Sequence, residues 1–270
     1  MISAGIDMGS RSIKVVLLED LVLDGARSPQ YVVKASHLMF PGELDADQAA
    51  EKAFDEALER AQLTRDDVAV VIATGAGRTQ VAFASDGVTE MTAGARGAVY
   101  MRPNTRTLVD VGAEEGRGVK TDATGRAVDF AGNEKCAAGA GSFAEAMSRA
   151  LQLSLQEFGE ASLRSDKTIP MNAQCTVFAE SEVVSLIHMS TPKEDIAKAV
   201  LDAVASRICA MVRRVGIEGE VVLIGGMAHN PGFVASLKNA MGVDTLSLPE
   251  MPEYVSALGC ALLGAERALS

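Results

Sequence analysis

The stretch Ile2-Ser3-Ala4-Gly5-Ile6-Asp7-Met8-Gly9-Ser10-Arg11-Ser12 is an apolar run that ends in Asp-x-Gly and a short polar turn. A second apolar run, residues 13–18, follows at once. Two apolar runs joined by a short Gly/Ser turn predict a β-hairpin. The pattern returns at Thr107-Leu108-Val109-Asp110-Val111-Gly112, with another strand predicted over residues 118–121. A repeated strand–Asp-x-Gly–turn–strand unit predicts two lobes built on one plan.

The remaining chain alternates predicted strands and helices. Apolar spacing predicts further strands over 31–39, 68–73 and 221–224, and helices over 47–61, 89–100, 141–153, 176–189, 193–215, 233–241 and 255–268. Arg102-Pro103-Asn104 interrupts the pattern. We therefore expect an N-terminal lobe of residues 1–103 and a C-terminal lobe of residues 104–270, whose closing helix could pack back on the first lobe.

Composition excludes several classes of partner. The chain has 270 residues with 36 acidic and 25 basic side chains, a net charge of −11. An acidic surface repels phosphate backbones, so a nucleic-acid partner is not expected. No window holds the roughly 20 apolar residues of a membrane span, and the opening residues lack the pattern of a signal peptide. We expect a cytoplasmic protein that has no membrane partner.

Three glycine-containing turns follow predicted buried strands: those at Asp7-Met8-Gly9, at Asp110-Val111-Gly112 and at Gly225-Gly226-Met227. Glycine lets the backbone approach a phosphate and direct its N–H groups towards it. Ser10, Ser12 and Lys14 could add hydroxyl and ammonium donors. One such turn alone is ordinary loop chemistry, but three in this order favour a nucleotide site.

Asp7 and Asp110 repel phosphate, so their position at these turns makes sense if a hydrated Mg²⁺ ion lies between carboxylate and phosphate. The sequence contains neither a Walker A motif nor GxGxxG, which argues against P-loop and Rossmann sites.

Two of the four cysteines lie just before predicted helices: Cys136 before the helix at 141 and Cys175 before the helix at 176. A helix N-terminus favours thiolate over thiol and stabilises a thiolate-ligated cluster. Two subunits would together supply the four thiolates of an iron–sulfur cubane. Small buried cysteines near helix starts explain the spacing equally well. Cys209 and Cys260 lie inside predicted helices, where core packing is favoured.

The order of the three turns resembles the actin/Hsp70/hexokinase superfamily, an α/β, ribonuclease H-like fold in which two lobes clamp ATP. The resemblance implies that the first two turns hold the phosphates and the metal, and that the last turn lines the adenosine. It assigns Asp7 and Asp110 to the flanks of Mg²⁺. The implied phosphate contacts are Gly9, Ser10, Ser12, Lys14, Gly112 and Ala113, and the implied adenosine contacts are Gly225, Gly226 and Met227.

The segments Lys135-Cys136-Ala137-Ala138-Gly139-Ala140-Gly141 and Cys175-Thr176-Val177-Phe178-Ala179-Glu180-Ser181-Glu182 resemble the BadF/BadG/BcrA/BcrD ATPase family. The resemblance covers the chain and implies a 4Fe–4S cluster shared between two subunits through Cys136 and Cys175. It also implies that ATP hydrolysis drives a low-potential electron to a partner. The implied partners are a paralogous ATPase subunit or a second copy, catalytic acyl-CoA reductase subunits and a ferredoxin-like electron donor.

Gly112-Ala113-Glu114-Glu115 departs from the Gly-Gly-Gln-Asp of dehydratase activators. The departure favours an ATPase subunit, of the D or Q type, of ATP-dependent benzoyl-CoA reductase in anaerobic aromatic degradation. Glu114 is then a candidate to position the hydrolytic water beside Asp110, although Glu114 and Glu115 could equally form a solvated turn. The alternatives are an activator of 2-hydroxyacyl-CoA dehydratase, a small-molecule kinase of the same fold, and a nucleotide-switched interaction protein without a cluster.

Overall fold

The computed structural model describes residues 1–21, 30–133, 141–171 and 176–269. Contacts divide the chain into two compact units. Unit 1 comprises Met1–Pro103, Thr121–Ala127 and Glu253–Ser270, and unit 2 comprises Asn104–Lys120 and Val128–Pro252. The lobe boundary at residue 103 stays a prediction, and the closing segment belongs by its contacts to unit 1.

Unit 1 contains a five-stranded sheet in the order β3-β2-β1-β4-β5. Its strands are β1 (Ile2–Met8), β2 (Ile13–Leu21), β3 (Gln30–Met39), β4 (Val68–Thr74) and β5 (Asp86–Gly87). β2 is antiparallel to β1 and to β3, whereas β4 is parallel to β1 and to β5. Because successive side chains of a strand point to opposite faces, Val15 and Leu17 enter one core and Val16 and Leu18 enter another.

Helices cover both faces of this sheet. α1 (Ala46–Ala61) packs its buried alanines and Phe54 on one face. α8 (Val255–Leu269) covers the other face and also contacts α2 (Glu90–Met101). The α8 backbone lies so close to the sheet that a Cβ atom at Gly5 would be 1.9 Å from the Ala257 carbonyl oxygen. Glycine at position 5 is therefore required by the packing of α8 on β1.

Unit 2 contains a four-stranded sheet in the order β8-β7-β6-β9. Its strands are β6 (Thr105–Val111), β7 (Gly116–Thr121), β8 (Ala127–Asn133) and β9 (Glu220–Ile224), and its helices are α3 (Gly141–Ala150), α4 (Leu155–Ser162), α5 (Thr176–His188), α6 (Lys193–Val215) and α7 (Pro231–Met241). Val109 and Leu223 from the sheet share one core with Phe143, Val204 and Phe233 from the helices. The helices therefore form a layer on one face of the sheet.

The predicted strands and helices are confirmed apart from their ends and three omissions. β5, β8 and α4 were not predicted, and the helix predicted over 141–153 is wrong beyond Ala150. Gln152 has φ of 57°, a left-handed conformation that ends a right-handed helix. Ser154 and Glu157 then form a capping box that starts α4. Among the described helices, none combines the length and apolar character needed to cross a membrane.

Candidate functional site

Asp7 lies near the end of β1, opposite Lys14 of β2. The Lys14 Nζ atom is 3.4 Å from Asp7 Oδ2 and donates a hydrogen bond to the Ser12 carbonyl oxygen at 3.3 Å. The two side chains are only about one-seventh exposed (15% and 14%). The hairpin register thus places the Lys14 ammonium over the first loop, which we define as residues 8–12.

A second glycine turn of unit 1 contacts the same aspartate. Gly75 follows β4, which runs parallel to β1, and has φ of +92°. A Cβ atom there would lie 2.4 Å from the Met8 carbonyl oxygen and 2.7 Å from Asp7 Oδ1. The Gly77 N–H donates to that Met8 oxygen at 3.0 Å. Only glycine permits this approach, both for its dihedral angle and for its missing side chain.

Unit 2 repeats both contacts around Asp110. Asp110 lies opposite Arg117 in the β6–β7 register, and Arg117 Nη1 is 3.2 Å from Asp110 Oδ2. Arg117 also contacts the Glu115 carboxylate. Gly225 follows the parallel strand β9 with φ of +87°, and a Cβ atom there would lie 2.4 Å from the Val111 oxygen and 2.9 Å from Asp110 Oδ1.

Sequence reasoning missed Gly75 and Arg117 as partners of the two aspartates. The signal was available, because Asp110 and Arg117 have the same separation along the chain as Asp7 and Lys14. The end of β4 at Thr74-Gly75-Ala76-Gly77 likewise matches the glycine turn after β9.

The other predicted nucleotide residues differ in exposure. Ser10 and Glu114 are exposed, whereas Ser12 is buried. A Cβ atom at Gly226 would meet nothing within 4 Å, so there is open space beside this backbone. Met227 is 2% exposed and belongs to the core of unit 2. Its side chain therefore packs within that core, and the nucleotide contact at residue 227 stays a prediction.

Cys136 and Cys175 both lie outside the described residues, which resume with α3 at Gly141 and with α5 at Thr176. Cys209 and Cys260 are free and buried, as predicted. Burial raises the pKa of the Cys209 thiol and raises that of Cys260 well above its usual value. A raised pKa disfavours the thiolate that ligates metals. Within the described ranges, no group of three or more histidine, cysteine or acidic side chains could hold a metal ion.

Comparison with known proteins identifies the family. The model of the BadF/BadG/BcrA/BcrD ATPase family matches residues 4–264. The chain belongs to this family. The resemblance found in the sequence is thereby confirmed, and membership supports an ATP-hydrolysing enzyme.

Two curated relatives represent two kinds of family member. The activator of lactoyl-CoA dehydratase from Anaerotignum propionicum is 34% identical over 99% of this chain and 99% of its own. A benzoyl-CoA reductase subunit from Thauera aromatica, the one designated D, is 31% identical over 98% of this chain and 94% of its own. Activators and a reductase subunit are thus both full-length relatives.

Solved structures confirm the fold class. Component A of the (R)-2-hydroxyglutaryl-CoA dehydratase from Acidaminococcus fermentans has a TM-score of 0.90 at 32% identity and covers 100% of both chains. The activator of the 2-hydroxyisocaproyl-CoA dehydratase from Clostridium difficile, with bound ADPNP, has a TM-score of 0.88 at 31% identity over 100% of this chain and 96% of its own. A ROK hexokinase from Thermus thermophilus (TM-score 0.53, 15% identity, 99% of this chain and 100% of its own) resembles the chain in fold alone. The fold is of the actin/Hsp70/hexokinase type.

Proposed function

We propose that this chain is the ATP-hydrolysing component that energises electron transfer to a partner acyl-CoA enzyme. The observation that carries the proposal is the family match across nearly the whole chain. Full-length similarity to dehydratase activators and to a reductase subunit supports it. The first name is that of an activator of an acyl-CoA enzyme, and the second is that of a subunit of one.

The nucleotide in this proposal is Mg-ATP. Carboxylate oxygens are the ligands that Mg²⁺ prefers, often through retained water, and the partly buried Asp7 and Asp110 fit this requirement. Bound Mg²⁺ would neutralise charge on the transferred phosphoryl group. Lys14 supplies a second positive charge, and Asp110 orients the attacking water with Glu114 as its proposed neighbour. The proposed backbone and hydroxyl contacts are Gly9, Ser10, Ser12, Gly112, Ala113, Gly225, Gly226 and Met227.

A 4Fe–4S cluster shared by two subunits is the proposed electron carrier, with Cys136 and Cys175 as this chain's ligands. Two features support the assignment. α3 and α5 begin closely after the two cysteines, and helix N-termini favour thiolate. The two remaining cysteines are buried thiols whose raised pKa opposes ligation. When bound, such a cluster supplies a one-electron carrier of low potential.

One observation favours a dehydratase as the partner enzyme, and another favours a reductase. Identity of 32–34% to three dehydratase activators, against 31% to the reductase subunit, favours a 2-hydroxyacyl-CoA dehydratase. Ala113-Glu114-Glu115 in the second loop (residues 111–116) favours a benzoyl-CoA reductase, where a paralogous ATPase subunit would complete the pair. We place the dehydratase activator first, because the difference in identity is taken over nearly the whole chain, whereas the loop difference concerns three residues.

Anaerobic purification followed by iron and sulfide analysis tests the electron-carrier part of the proposal. We expect about four iron atoms per pair of subunits, with an EPR signal after dithionite reduction. Cys136→Ala and Cys175→Ala should each abolish the iron. Cys209→Ala is the matched control and should retain it, because Cys209 donates its thiol to the Ala240 carbonyl oxygen within the core of unit 2. Iron-free wild-type protein would contradict the proposal.

ATP hydrolysis is tested with Asp110→Asn, which should lower the hydrolysis rate by at least about tenfold and leave the iron content unchanged. Wild-type hydrolysis rates in this variant would remove Asp110 from the mechanism.

The partner class is then decided by reconstitution. Acceleration of water loss from a 2-hydroxyacyl-CoA by an added dehydratase supports the first candidate, and ATP-dependent ring reduction with benzoyl-CoA reductase subunits supports the second.

A further inference from the structure

The first turn of α3 is hydrogen-bonded to the second loop. The Gly141 N–H donates to the Gly112 carbonyl oxygen at 2.9 Å. The Ser142 N–H and the Ser142 hydroxyl both donate to the Ala113 carbonyl oxygen, each at 2.7 Å. Three hydrogen bonds thus join two consecutive helix residues to two consecutive loop residues. We call this group, Gly112, Ala113, Gly141 and Ser142, the α3 joint.

The α3 joint supplies hydrogen-bond acceptors at the start of α3, as a helix cap does. The first N–H groups of a helix have no acceptor within the helix and need one elsewhere. Here two of them use loop carbonyls, and the Ser142 hydroxyl adds a second donor to the Ala113 oxygen. Hydrogen bonds weaken quickly once the heavy atoms separate beyond about 3.2 Å. A displacement of the second loop by a fraction of an ångström must therefore either move the first turn of α3 or break these bonds.

Steric contacts reinforce the same connection. A Cβ atom at Gly141 would lie 2.9 Å from the Gly112 oxygen and 3.3 Å from both Cγ and Sδ of Met227. The first residue of α3 therefore touches the second loop and also the glycine turn after β9. These are the two segments of unit 2 that the proposed function assigns to the nucleotide.

We propose that Ser142 is a positioning residue that couples the nucleotide bound at the second loop to the first turn of α3. The inference rests on the proposed function and deepens it, because it names how nucleotide state reaches a helix that begins shortly after Cys136. A nucleotide can shift a conformation only if it interacts differently with two states. Nucleotides that differ in the γ-phosphate would place the loop carbonyls differently, and the α3 joint would carry that difference to the helix.

Hydrogen–deuterium exchange of residues 141–145 tests the coupling, with ADP and ADPNP compared in the full-length protein. We expect the exchange rates of the wild-type amides to differ between the two nucleotides. Loss of one hydrogen bond changes a local equilibrium by about fivefold. Ser142→Ala should therefore reduce the nucleotide-dependent ratio by about that factor, while calorimetry shows ADPNP affinity within about threefold of wild type. Ser142→Thr, which keeps a hydroxyl, should restore the ratio.

Ser148→Ala is the matched control in the same helix. Its hydroxyl donates to the Glu145 carbonyl oxygen at 2.9 Å, within α3 and away from the second loop. Ser148→Ala should keep the wild-type ratio of exchange rates. An equal fall of that ratio in both alanine variants would show that loss of any serine hydroxyl from α3 has the same effect. ADPNP binding with the same exchange in wild type and Ser142→Ala, or with no ADP–ADPNP difference in wild type, overturns the coupling alone. Failure of wild type to bind ADPNP overturns the proposed function together with it.

Discussion

Asp7 and Asp110 each face a basic side chain directly across a hairpin, and each is approached by a glycine in the left-handed region. The sequence predicted the two aspartates, because Asp-x-Gly after an apolar strand is visible without coordinates. It did not predict the partners Arg117 and Gly75. Cross-strand pairing depends on the register of a hairpin, and the approach of Gly75 depends on which strand is the parallel neighbour. The matching separation of aspartate and basic residue in the two hairpins hints at the first pairing, but local spacing alone fixes neither the register nor the neighbouring strand.

The first prediction concerns the Asp110–Arg117 pair. Both side chains are largely buried (15% and 12% exposed), so Arg117→Gln removes the positive charge that contacts the carboxylates of Asp110 and Glu115. We expect the free energy of unfolding to fall by about 2 kcal/mol. A double-mutant cycle with Asp110→Asn, followed by urea unfolding, isolates the coupling between the two side chains.

Lys120→Gln provides the comparison for this cycle. Lys120 lies on the same strand and pairs with Glu218, but its side chain and that of Glu218 are more exposed (33% and 58%). Exposed pairs contribute little, so the change should be below about 0.5 kcal/mol. Equal losses at Lys120 and Arg117 would show that burial does not strengthen the Asp110 pair.

The second prediction concerns thiol reactivity. Burial is the main cause that raises the pKa of Cys209 and of Cys260, and the thiolate is the reactive form. In native protein at pH 8, iodoacetamide should leave both cysteines unmodified on a timescale that modifies them completely in guanidinium. Mass spectrometry of digested protein measures the labelling. Fast native labelling of Cys260 would be incompatible with its place in the core of unit 1.

At the scale of elements, long periodic segments were predicted well and short ones were not. The predicted limits of α6 agree with the structure at both ends, since its apolar spacing runs for 23 residues. β8 was missed because Val128 and Phe130 are exposed on an edge strand, so no burial pattern marks it. α4 has only eight residues, too few to show a helical period, although the Ser154–Glu157 capping box is readable in the sequence.

The third prediction tests that cap. Hydrogen bonds from the backbone N–H and hydroxyl of Ser154 lower the pKa of Glu157. A lowered folded-state pKa gives stability that is present above the unfolded value, about 4.3, and is lost as pH falls through the folded value. The difference in unfolding free energy between wild type and Glu157→Gln should therefore be largest above about pH 5 and should shrink on acidification. A difference that stayed constant on acidification would show that the cap does not depend on the charge of Glu157.

The fourth prediction concerns the packing of α8 on α2. A Cβ atom at Gly259 would lie 1.8 Å from the Ala93 carbonyl oxygen, which is rigid backbone. At Gly264, the nearest atom is Val70 Cγ1 at 3.1 Å, a side chain that can move. Gly259→Ala should cost about 3 kcal/mol by overpacking, even though alanine favours helix by about 1 kcal/mol.

Gly264→Ala has the same propensity gain and should stay within about 1 kcal/mol of wild type. Thermal unfolding of the two variants measures the contrast. If Gly259→Ala proved as stable as Gly264→Ala, α8 would not lie against α2 as closely as the carbonyl distance requires.

At the scale of the whole molecule, both units follow one plan. Each has an antiparallel hairpin whose first strand carries the aspartate, and a parallel neighbour that ends in glycine with φ near +90°. In each unit a Cβ atom at that glycine would lie 2.4 Å from a loop carbonyl oxygen. Each unit thus has an aspartate, a basic side chain and a glycine at matching positions. These groups are suited to phosphate and Mg²⁺, and their presence in both units supports the nucleotide proposal more than either unit does alone.

The fifth prediction follows from linkage between binding and folding. A ligand that binds only the native state stabilises it by about 2.7 kcal/mol at 100 times its Kd. Since about 1 kcal/mol moves the Tm of a chain of this size by 2–4 °C, saturating Mg-ADPNP should raise the Tm by about 5–10 °C. The rise should shrink when EDTA removes Mg²⁺, and also in Asp7→Asn. Asp47→Asn, in the exposed first turn of α1, is the matched control and should keep the full rise. An Asp7→Asn variant with an undiminished, Mg²⁺-dependent rise would place the metal elsewhere, because the carboxylate charge at residue 7 would then contribute nothing to binding the Mg-nucleotide.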